Sequence, residues 1–200
     1  IVVNDGSTDN NLDEINKNKN EIDIIINHSK NLGKGAAIKS ASKHLNGEIV
    51  IIQDGDLEYD PKDYKSLISP IIKNEALVVY GSRVLGKKRY IDNNEFISLF
   101  RTFGNHFLTI LSNTFNNQNL TDAHTCYKVF KTEIFKDLDL KENDFSFCPE
   151  VTTKLSNKKI KIYEVPISYK GRTAKEGKKI RFIDAIKAFR VILKYKFYKK

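Results

Sequence analysis

Short apolar segments alternate with amphipathic segments over the first eighty residues. The apolar segments predict buried strands over Ile1–Val3, Ile22–Ile26, Glu48–Ile52 and Ala76–Tyr80. The segments between them predict helices from Thr8 or Asp9 to about Asn20, over Ala36–Leu45, and from Asp60-Pro61 onward. Strands that alternate with helices are typical of βαβ units, so we expect an α/β fold with a mostly parallel sheet covered by helices on both faces.

The second half of the chain is less regular. Apolar residues at helical spacing predict a helix over Glu95–Phe115, and strands are expected at Tyr127–Phe130 and Ile160–Val165. A closing helix is expected over Phe182–Phe197. Its apolar face would be Phe182, Ile186, Phe189 and Leu193, and its charged face Asp184, Lys187, Arg190 and Lys194. We therefore predict a single domain over residues 1–200 with a basic amphipathic helix at 182–200.

Length and composition limit the class of protein. Two hundred residues suffice for one domain with a sizeable core. No run of eighteen apolar residues predicts a membrane span, and no signal peptide is recognisable. The chain lacks Met and begins at Ile1, which suggests a fragment entered within its first strand. Two cysteines, Cys126 and Cys148, are expected to be reduced thiols of a cytoplasmic protein, most simply small buried residues.

Positive charge is concentrated at the C-terminal end. The net charge is +9, and twelve Lys or Arg against two acidic residues lie between Lys170 and Lys200. Such a tail suits an anionic surface, such as membrane headgroups, a lipid phosphate or nucleic acid. Nucleic acid is disfavoured because the basic charge is confined to one end and no known module is present. The closing helix is expected to pack most of its apolar residues on the domain and to leave residues 195–200 near a membrane.

The strongest chemical signal is Asp54-Gly55-Asp56 directly after an apolar strand. Two carboxylates at a strand end suit Mg²⁺ or Mn²⁺, which commonly bridge to substrate phosphates. Glu58 stands two residues further on and would complete the set of ligands. An ordinary acidic turn is the alternative, because Asp-Gly pairs form turns in any protein.

Two other turns join a strand to a helix. Asn4-Asp5-Gly6-Ser7 places Asp5 where it can accept hydrogen bonds from a nucleobase or ribose, although helix capping by its neighbours explains the same residues. Gly33-Lys34-Gly35 opens a helix, whose N-terminus favours anions. Lys34 suits a phosphate, and a solvated surface lysine is the alternative. Because ligands of open α/β sheets bind beyond the carboxyl ends of strands, Asp5, Asp54 and Arg83 are expected at one edge.

Together these motifs resemble family 2 glycosyltransferases of the GT-A fold, most closely the polyprenyl-phosphate (dolichyl-phosphate) mannosyl- or glucosyltransferases. The resemblance covers nearly the whole chain. Its remaining motifs are Val79-Tyr80-Gly81-Ser82-Arg83, Leu120-Thr121-Asp122, Thr125-Cys126-Tyr127-Lys128-Val129-Phe130, Phe147-Cys148-Pro149-Glu150, Glu164-Val165-Pro166-Ile167-Ser168-Tyr169, Gly171-Arg172 and Glu176-Gly177-Lys178-Lys179.

The resemblance implies an inverting hexosyl transfer from GDP-mannose or UDP-glucose to polyprenyl phosphate. It places Asp5 at the donor nucleotide, Asp54 and Asp56 at Mg²⁺ or Mn²⁺ on the donor diphosphate with Glu58 as an added ligand, and Arg83 and Arg172 at acceptor phosphate or diphosphate. To these we add Lys34 and Asp54 as candidates at the donor nucleotide, Lys178 as a candidate at the phosphates, and Asp56, Asp122 and His124 as candidates in catalysis. It also implies a peripheral enzyme at the inner face of a membrane. Arg83 in a surface salt bridge, and Arg172 as part of the basic tail alone, are the simpler alternatives.

Three departures from the family pattern bear on activity. The chain lacks an earlier strand with a Pro-x-Tyr-Asn-Glu-like segment, and Gly55 replaces a common Ala. His124 stands where relatives usually carry Glu, and it is equally compatible with proton transfer and with a silent position. Asp122 is the reserve candidate for a general base, and a structural turn or cap is its alternative.

A polyprenyl phosphate is already anionic and needs no strong base, whereas a glycan hydroxyl does. A transferase acting on a glycan hydroxyl and a catalytically inactive transferase-like scaffold remain the alternatives.

Overall fold

The computed structural model describes residues 1–85, 95–171 and 182–197, with side chains from residue 104 in the second range and from residue 185 in the third. Its strands are β1 (Val2–Asn4), β2 (Ile25–Asn27), β3 (Ile49–Ile51), β4 (Val78–Ser82), β5 (Lys128–Lys131) and β6 (Tyr163–Pro166). Its α-helices are α1 (Asn11–Lys17), α2 (Lys34–Ser42), α3 (Tyr64–Ile72), α4 (Glu95–Asn116), α5 (Thr132–Lys136), α6 (Phe147–Asn157) and α7 (Phe182–Phe197). Single 3₁₀ turns occupy Lys19–Glu21 and Pro61–Asp63.

The strands form two groups with mixed directions. β1 and β2 pair in parallel, and the other four strands have the order β3-β5-β4-β6. β5 is antiparallel to both of its neighbours, whereas β4 and β6 are parallel. The α/β class is therefore confirmed, with a larger antiparallel share among the described strands than the sequence predicted. Because β5 runs opposite to β3 and β4, its start lies at the edge where those two strands end.

Two apolar clusters cover the two faces of the four-stranded sheet. One lies beneath α6 and contains Val78, Phe130 and Val151, while the other lies beneath α3 and contains Leu67, Val79 and Val129. Adjacent residues of β4 and β5 enter opposite clusters, as the alternation of side chains in a strand requires. The four-stranded sheet is thus supported by packed apolar side chains on both faces.

Most predicted elements are present with ends shifted by one to three residues. The Asp60-Pro61 start is confirmed, because the Asp60 carboxylate accepts the backbone N–H of Lys62 at 3.0 Å. Helices α5 and α6 were not predicted. In α6 the polar residues Glu150, Thr152 and Thr153 are as buried as their apolar neighbours, so its polar positions do not mark a solvent-facing side.

Helix α7 has the predicted bounds and packs against α6 and α4. Its buried side chains are Ala188, Val191 and Ile192, whereas Ile186, assigned to the apolar face, is 51% exposed. The predicted apolar face is therefore only partly buried: Phe189 packs against Phe115 of α4 with ring centres 5.9 Å apart, whereas Ile186 faces solvent. Its charged side is tied to the domain: Lys187 binds Asp144 and Lys194 binds Glu142, at 3.1 and 2.8 Å.

Helix α4 buries polar residues and exposes apolar ones. Thr109, Ser112 and Asn116 are buried, whereas Phe107 and Ile110 are about half exposed. The Thr109 hydroxyl accepts the backbone N–H of Ala123, which gives the buried polar face a structural use. Across residues 1–85, 95–171 and 182–197, no helix combines the length and apolar character needed to cross a bilayer.

Candidate functional site

Asp5 lies in the turn after β1 and organises the turn that precedes α2. Its carboxylate accepts the backbone N–H groups of Leu32 and Gly33 at 2.9 and 2.8 Å. His28 Nδ1 lies 2.7 Å from the same carboxylate, and His28 Nε2 lies 2.8 Å from Ser40 Oγ. Burial alone would raise the pKa of Asp5, but these hydrogen bonds hold the pKa below its ordinary value. Asp5 is therefore an ionised group that joins the first two turns of the site.

The turn Gly33–Gly35 fits tightly against the backbone of a loop near residue 143. Gly33 has φ of +98°, and the N–H of Ala36 donates to the carbonyl of Asn143 at 2.9 Å. A Cβ placed on Gly35 would lie only 2.3 Å from the carbonyl oxygen of Glu142. Both glycines are needed here, because a side chain at either position would push the turn away from the loop.

Lys34 and Asp54, which come from different turns, form an ion pair. The ammonium lies 2.6 Å from one carboxylate oxygen of Asp54 and 2.7 Å from the other. Burial alone would lower the pKa of Lys34, but the Cys126 sulfur and the Asp54 carboxylate raise it above its ordinary value. Lys34 is thus not the solvated surface lysine of the alternative interpretation. The pair brings the α2 N-terminus next to the turn after β3.

The expected three-ligand metal set is not assembled. Glu58 is buried, and its carboxylate accepts the Tyr169 hydroxyl at 2.9 Å. Among the described residues no three His, Cys, Asp or Glu side chains are grouped closely enough to hold a metal ion. Asp54 and Asp56 still supply hard oxygen ligands from one turn, and Mg²⁺ commonly uses one or two carboxylates with substrate phosphates. These two residues would suit a divalent ion that a substrate phosphate helps to bind, whereas the Glu58 carboxylate is bonded to the Tyr169 hydroxyl.

Arg83 and Asp122 pair with each other at the end of β4. Nε and Nη2 of Arg83 lie 2.6 and 2.8 Å from the two oxygens of Asp122, and the backbone N–H of Arg83 also donates to it. Burial would raise the pKa of Asp122, but the charge and hydrogen bonds of Arg83 lower it. The pair is buried, so the surface salt bridge considered for Arg83 is ruled out. A carboxylate held in this way is a weak general base.

His124 lies in the same loop as Asp122 and is held neutral. Its Nε2 is buried and has no hydrogen-bond partner within the described part of the chain. Burial, with the positive charge of Lys128 adding to it, lowers the pKa of His124 to about 4. A neutral imidazole with so low a pKa accepts a proton poorly at neutral pH.

An aromatic cluster joins the turn after β3 to Arg83. The rings of Tyr59 and Tyr169 are 5.2 Å apart, and the Arg83 guanidinium lies 5.1 Å from the centre of the Tyr169 ring. The Tyr59 hydroxyl accepts the backbone N–H of Cys126 at 3.0 Å. These contacts connect the side of the site that holds Asp54 with the side that holds Asp122.

Several residues that shape the site had no role in the sequence-based prediction: His28 was not singled out, and Lys128, Glu164 and Tyr169 appeared only as members of motifs. Lys128 is fully buried on β5, and its ammonium lies 4.1 Å from the centre of the Tyr80 ring. A lysine inside an apolar strand segment was the available signal. Arg172 and Lys178, predicted at the phosphates, lie outside the described residues.

Solved structures with the same fold include glucosyl-3-phosphoglycerate synthase from Mycobacterium tuberculosis. Its crystal structure superposes with a TM-score of 0.71 at 13% identity, covering 100% of this chain and 69% of that one. Its complex with Mn²⁺, uridine diphosphate and glucosyl-3-phosphoglycerate superposes with a TM-score of 0.69 at 13% identity, with the same coverage. At this identity the likeness establishes the fold, which confirms the predicted GT-A architecture.

Curated relatives are about a quarter identical to the chain over the aligned positions. A dolichyl-phosphate beta-glucosyltransferase of Trichomonas vaginalis is 27% identical over an alignment of 195 positions, which covers 94% of this chain and 58% of the relative. The dolichyl-phosphate beta-glucosyltransferase of Saccharomyces cerevisiae is 27% identical over 84% of this chain and 56% of the relative. A low-salt glycan biosynthesis hexosyltransferase of Haloferax volcanii is 27% identical over 86% of this chain and 40% of the relative. The chain thus spans about half the length of these relatives.

A family model provides the direct assignment. The model for glycosyl transferase family 2 matches residues 1–139, which include the turns of Asp5, Lys34 and Asp54 as well as the Arg83–Asp122 pair. The chain belongs to glycosyl transferase family 2.

Proposed function

We propose that the chain is the catalytic part of a divalent-metal-dependent hexosyltransferase that transfers a sugar from a nucleotide-sugar donor to a polyprenyl phosphate. The names of the curated relatives from Trichomonas and yeast support this acceptor class. The Haloferax relative, named for glycan biosynthesis, is the reason to keep a glycan hydroxyl as the second candidate acceptor. Either GDP-mannose or UDP-glucose fits the proposal.

The donor would lie across the turns that carry Asp5, Lys34 and Asp54. Asp5 is ionised and suits the nucleoside, and Lys34 is placed at a helix N-terminus, where anions are favoured. A divalent ion held by Asp54 and Asp56 with the diphosphate would neutralise the charge of the leaving nucleoside diphosphate. Lys34 neutralises Asp54 in the structure, and with a donor bound its ammonium would turn to the diphosphate.

One observation favours a phosphate acceptor over a hydroxyl acceptor. Asp122 is tied to Arg83, and the pKa of His124 is lowered to about 4, so both candidate bases are poor proton acceptors at neutral pH. A hydroxyl must lose its proton during attack, whereas a phosphate is already ionised. The Arg83 guanidinium, which is held in a fixed orientation, is the matching cation for such an acceptor.

The membrane location belongs to the same proposal. A polyprenyl phosphate is embedded in a bilayer, so we expect a peripheral enzyme at the cytoplasmic face, drawn there by the basic C-terminal residues. Lys187 and Lys194 are paired with Asp144 and Glu142, so they contribute less to this attraction than the sequence suggested. Arg190 on α7 is exposed and remains available for anionic lipids.

The test is sugar transfer by the full-length protein. Labelled UDP-glucose and GDP-mannose are offered separately with Mn²⁺, and polyprenyl phosphate is compared with the corresponding polyprenol, which lacks the phosphate. We expect label in the phosphate lipid alone, abolished by EDTA and by Asp56→Ala. Gly55→Ala is the matched control in the same turn, because its added Cβ meets nothing within 4 Å.

Two outcomes would contradict the proposal. Transfer to polyprenol or to a glycan at the same rate as to polyprenyl phosphate would support the hydroxyl-acceptor alternative. A folded protein that neither transfers sugar nor binds nucleotide in the presence of Mn²⁺ would indicate an inactive scaffold.

A further inference from the structure

The loop from Thr121 to Thr125 is held from one side by a carboxylate. Glu164 on β6 accepts the backbone N–H of Thr121 at 2.7 Å and that of Asp122 at 3.0 Å. The same carboxylate accepts the Thr121 hydroxyl at 3.0 Å, and that hydroxyl lies 2.6 Å from Ser82 Oγ. A carboxylate that accepts three hydrogen bonds forms charge-assisted contacts, which are stronger than neutral ones.

The other side of this loop is held by a buried ammonium. Lys128 on β5 has no exposed surface, and its Nζ donates to the carbonyl oxygens of Ala123, at 3.3 Å, and of Thr125. Its third neighbour is the face of the Tyr80 ring, a favourable position for a cation. Burying a charge costs free energy unless the charge is hydrogen-bonded. The Lys128 ammonium is hydrogen-bonded to the backbone carbonyls on both sides of His124.

We propose that Glu164 and Lys128 are positioning residues that hold the loop Thr121–Thr125 by its amide groups and its carbonyl groups, and so orient the Arg83–Asp122 pair toward the acceptor. The inference rests on the proposed function for the identity of the acceptor. It adds two residues that touch neither the donor turns nor the reacting atoms.

A chain of contacts connects the loop Thr121–Thr125 to the acceptor side of the site, so loosening the loop should affect that side. Glu164 fixes the backbone of Asp122, and Asp122 fixes the guanidinium of Arg83 through two hydrogen bonds. The donor-side carboxylate Asp54 belongs to the turn after β3 and is held by Lys34 instead. Loosening the loop should therefore impair use of the acceptor and spare nucleotide binding.

The test compares Glu164→Gln and Lys128→Met with the wild type. Gln keeps the shape of Glu164 but loses its charge and one acceptor oxygen, while Met keeps the apolar stem of Lys128 and removes its donors. For each we expect amide hydrogen exchange of residues 121–125 to accelerate about tenfold or more, as loss of hydrogen bonds to a charged group implies. We also expect kcat/KM for polyprenyl phosphate to fall about tenfold, with the Kd for the donor nucleotide unchanged within about twofold.

The controls separate positioning from general stability. Lys131→Met removes an ammonium from the same strand, where it bonds Asn74 at the surface, and should leave loop exchange and acceptor kinetics unchanged. Thr109→Val removes the hydroxyl that accepts the N–H of Ala123, so it should loosen the same loop by a smaller amount. This variant keeps the test informative if Lys128→Met fails to fold.

The possible results distinguish a failure of this inference from a failure of the proposed function. Loop exchange at the wild-type rate in both Glu164→Gln and Lys128→Met would overturn the inference, and so would an equal loss of nucleotide affinity and acceptor kcat/KM. A wild-type protein that transfers nothing to polyprenyl phosphate would contradict the proposed function, and loop exchange would then still decide whether the two residues hold the loop.

Discussion

The Arg83 guanidinium and the Asp122 carboxylate face each other through two parallel hydrogen bonds, Nε to Oδ2 at 2.6 Å and Nη2 to Oδ1 at 2.8 Å. The sequence suggested separate roles for them, a phosphate ligand and a reserve base. Their pairing changes both roles. Both oxygens of Asp122 accept hydrogen bonds from Arg83, which makes Asp122 a weaker base, and the same bonds hold Arg83 in one orientation. The guanidinium also lies 5.1 Å from the centre of the Tyr169 ring, so an anion that binds Arg83 would meet a cation fixed by two neighbours.

Asp122→Asn should destabilise the protein by about 3 kcal/mol, because it removes one partner of a buried ion pair and leaves the other charge uncompensated. The measurement is the free energy of unfolding from urea titration at pH 7. Asp137→Asn is the matched control, since its pair with Lys158 lies at the surface, where ion pairs contribute little. Equal effects of the two substitutions would contradict the importance assigned to the buried pair.

Gly35→Ala should destabilise the fold by about 1–3 kcal/mol and weaken nucleotide binding, because the added Cβ would overlap the backbone of residues 142 and 143. The displaced turn would carry Lys34 away from Asp54. Thermal unfolding and nucleotide titration measure the two effects. Gly55→Ala has open space around its Cβ and should change neither quantity. Wild-type behaviour of the Gly35 variant would show that the loop yields without cost.

The stability of the protein should rise between pH 4 and pH 6.5 through His124. The unfolded chain protonates this residue near pH 6.5, whereas the folded pKa is lowered to about 4, so the unfolded state binds more protons in that window. The contribution is present above pH 6.5 and is lost as the pH falls through 4. Its full size is about 3 kcal/mol, since one pKa unit corresponds to about 1.4 kcal/mol.

His124→Gln should flatten the rise in stability between pH 4 and pH 6.5, measured by urea unfolding at several pH values. The control is His44→Gln, the same substitution at an exposed histidine, measured over the same pH values. Loss of stability below pH 4 should persist in both variants, since the folded pKa values of Asp5 and Asp122 are also lowered. An unchanged slope in the His124 variant would refute the buried neutral imidazole.

Lys34→Met should separate nucleotide binding from metal binding. We expect affinity for the nucleoside diphosphate to fall about tenfold or more, because a cation at the α2 N-terminus is lost. Affinity for Mn²⁺ alone should not fall, because Lys34 competes with the ion for the oxygens of Asp54. Isothermal titration calorimetry measures the affinity for the nucleoside diphosphate, and electron paramagnetic resonance of free Mn²⁺ measures the affinity for the metal ion. Weaker Mn²⁺ binding in this variant would show that Lys34 supports the metal site instead of competing with it.

The sequence by itself determined the class of fold and which turns carry the candidate site residues. Short β-branched segments such as Ile49–Ile51 bury well only in a sheet, and the turns that follow β1, β3 and β4 carry Asp5, Asp54 and Arg83. These signals are local, because a strand, a turn and a helix cap depend on neighbouring residues. Helix α6 was not predicted although Phe147, Val151 and Leu155 recur at helical spacing, and the burial of Glu150, Thr152 and Thr153 became visible only in the structure.

Only the tertiary structure decided which charged groups meet. Lys34 and Asp54 are twenty residues apart, Arg83 and Asp122 thirty-nine, and Thr121 and Glu164 forty-three, so no local pattern relates them. Two groups predicted to serve substrate, Arg83 and Asp122, proved to be partners of each other, and Glu58 proved to be the partner of Tyr169. The reason is physical: a buried charge must find a counter-charge or hydrogen bonds within the fold, and the crossing of distant strands determines which partner is within reach.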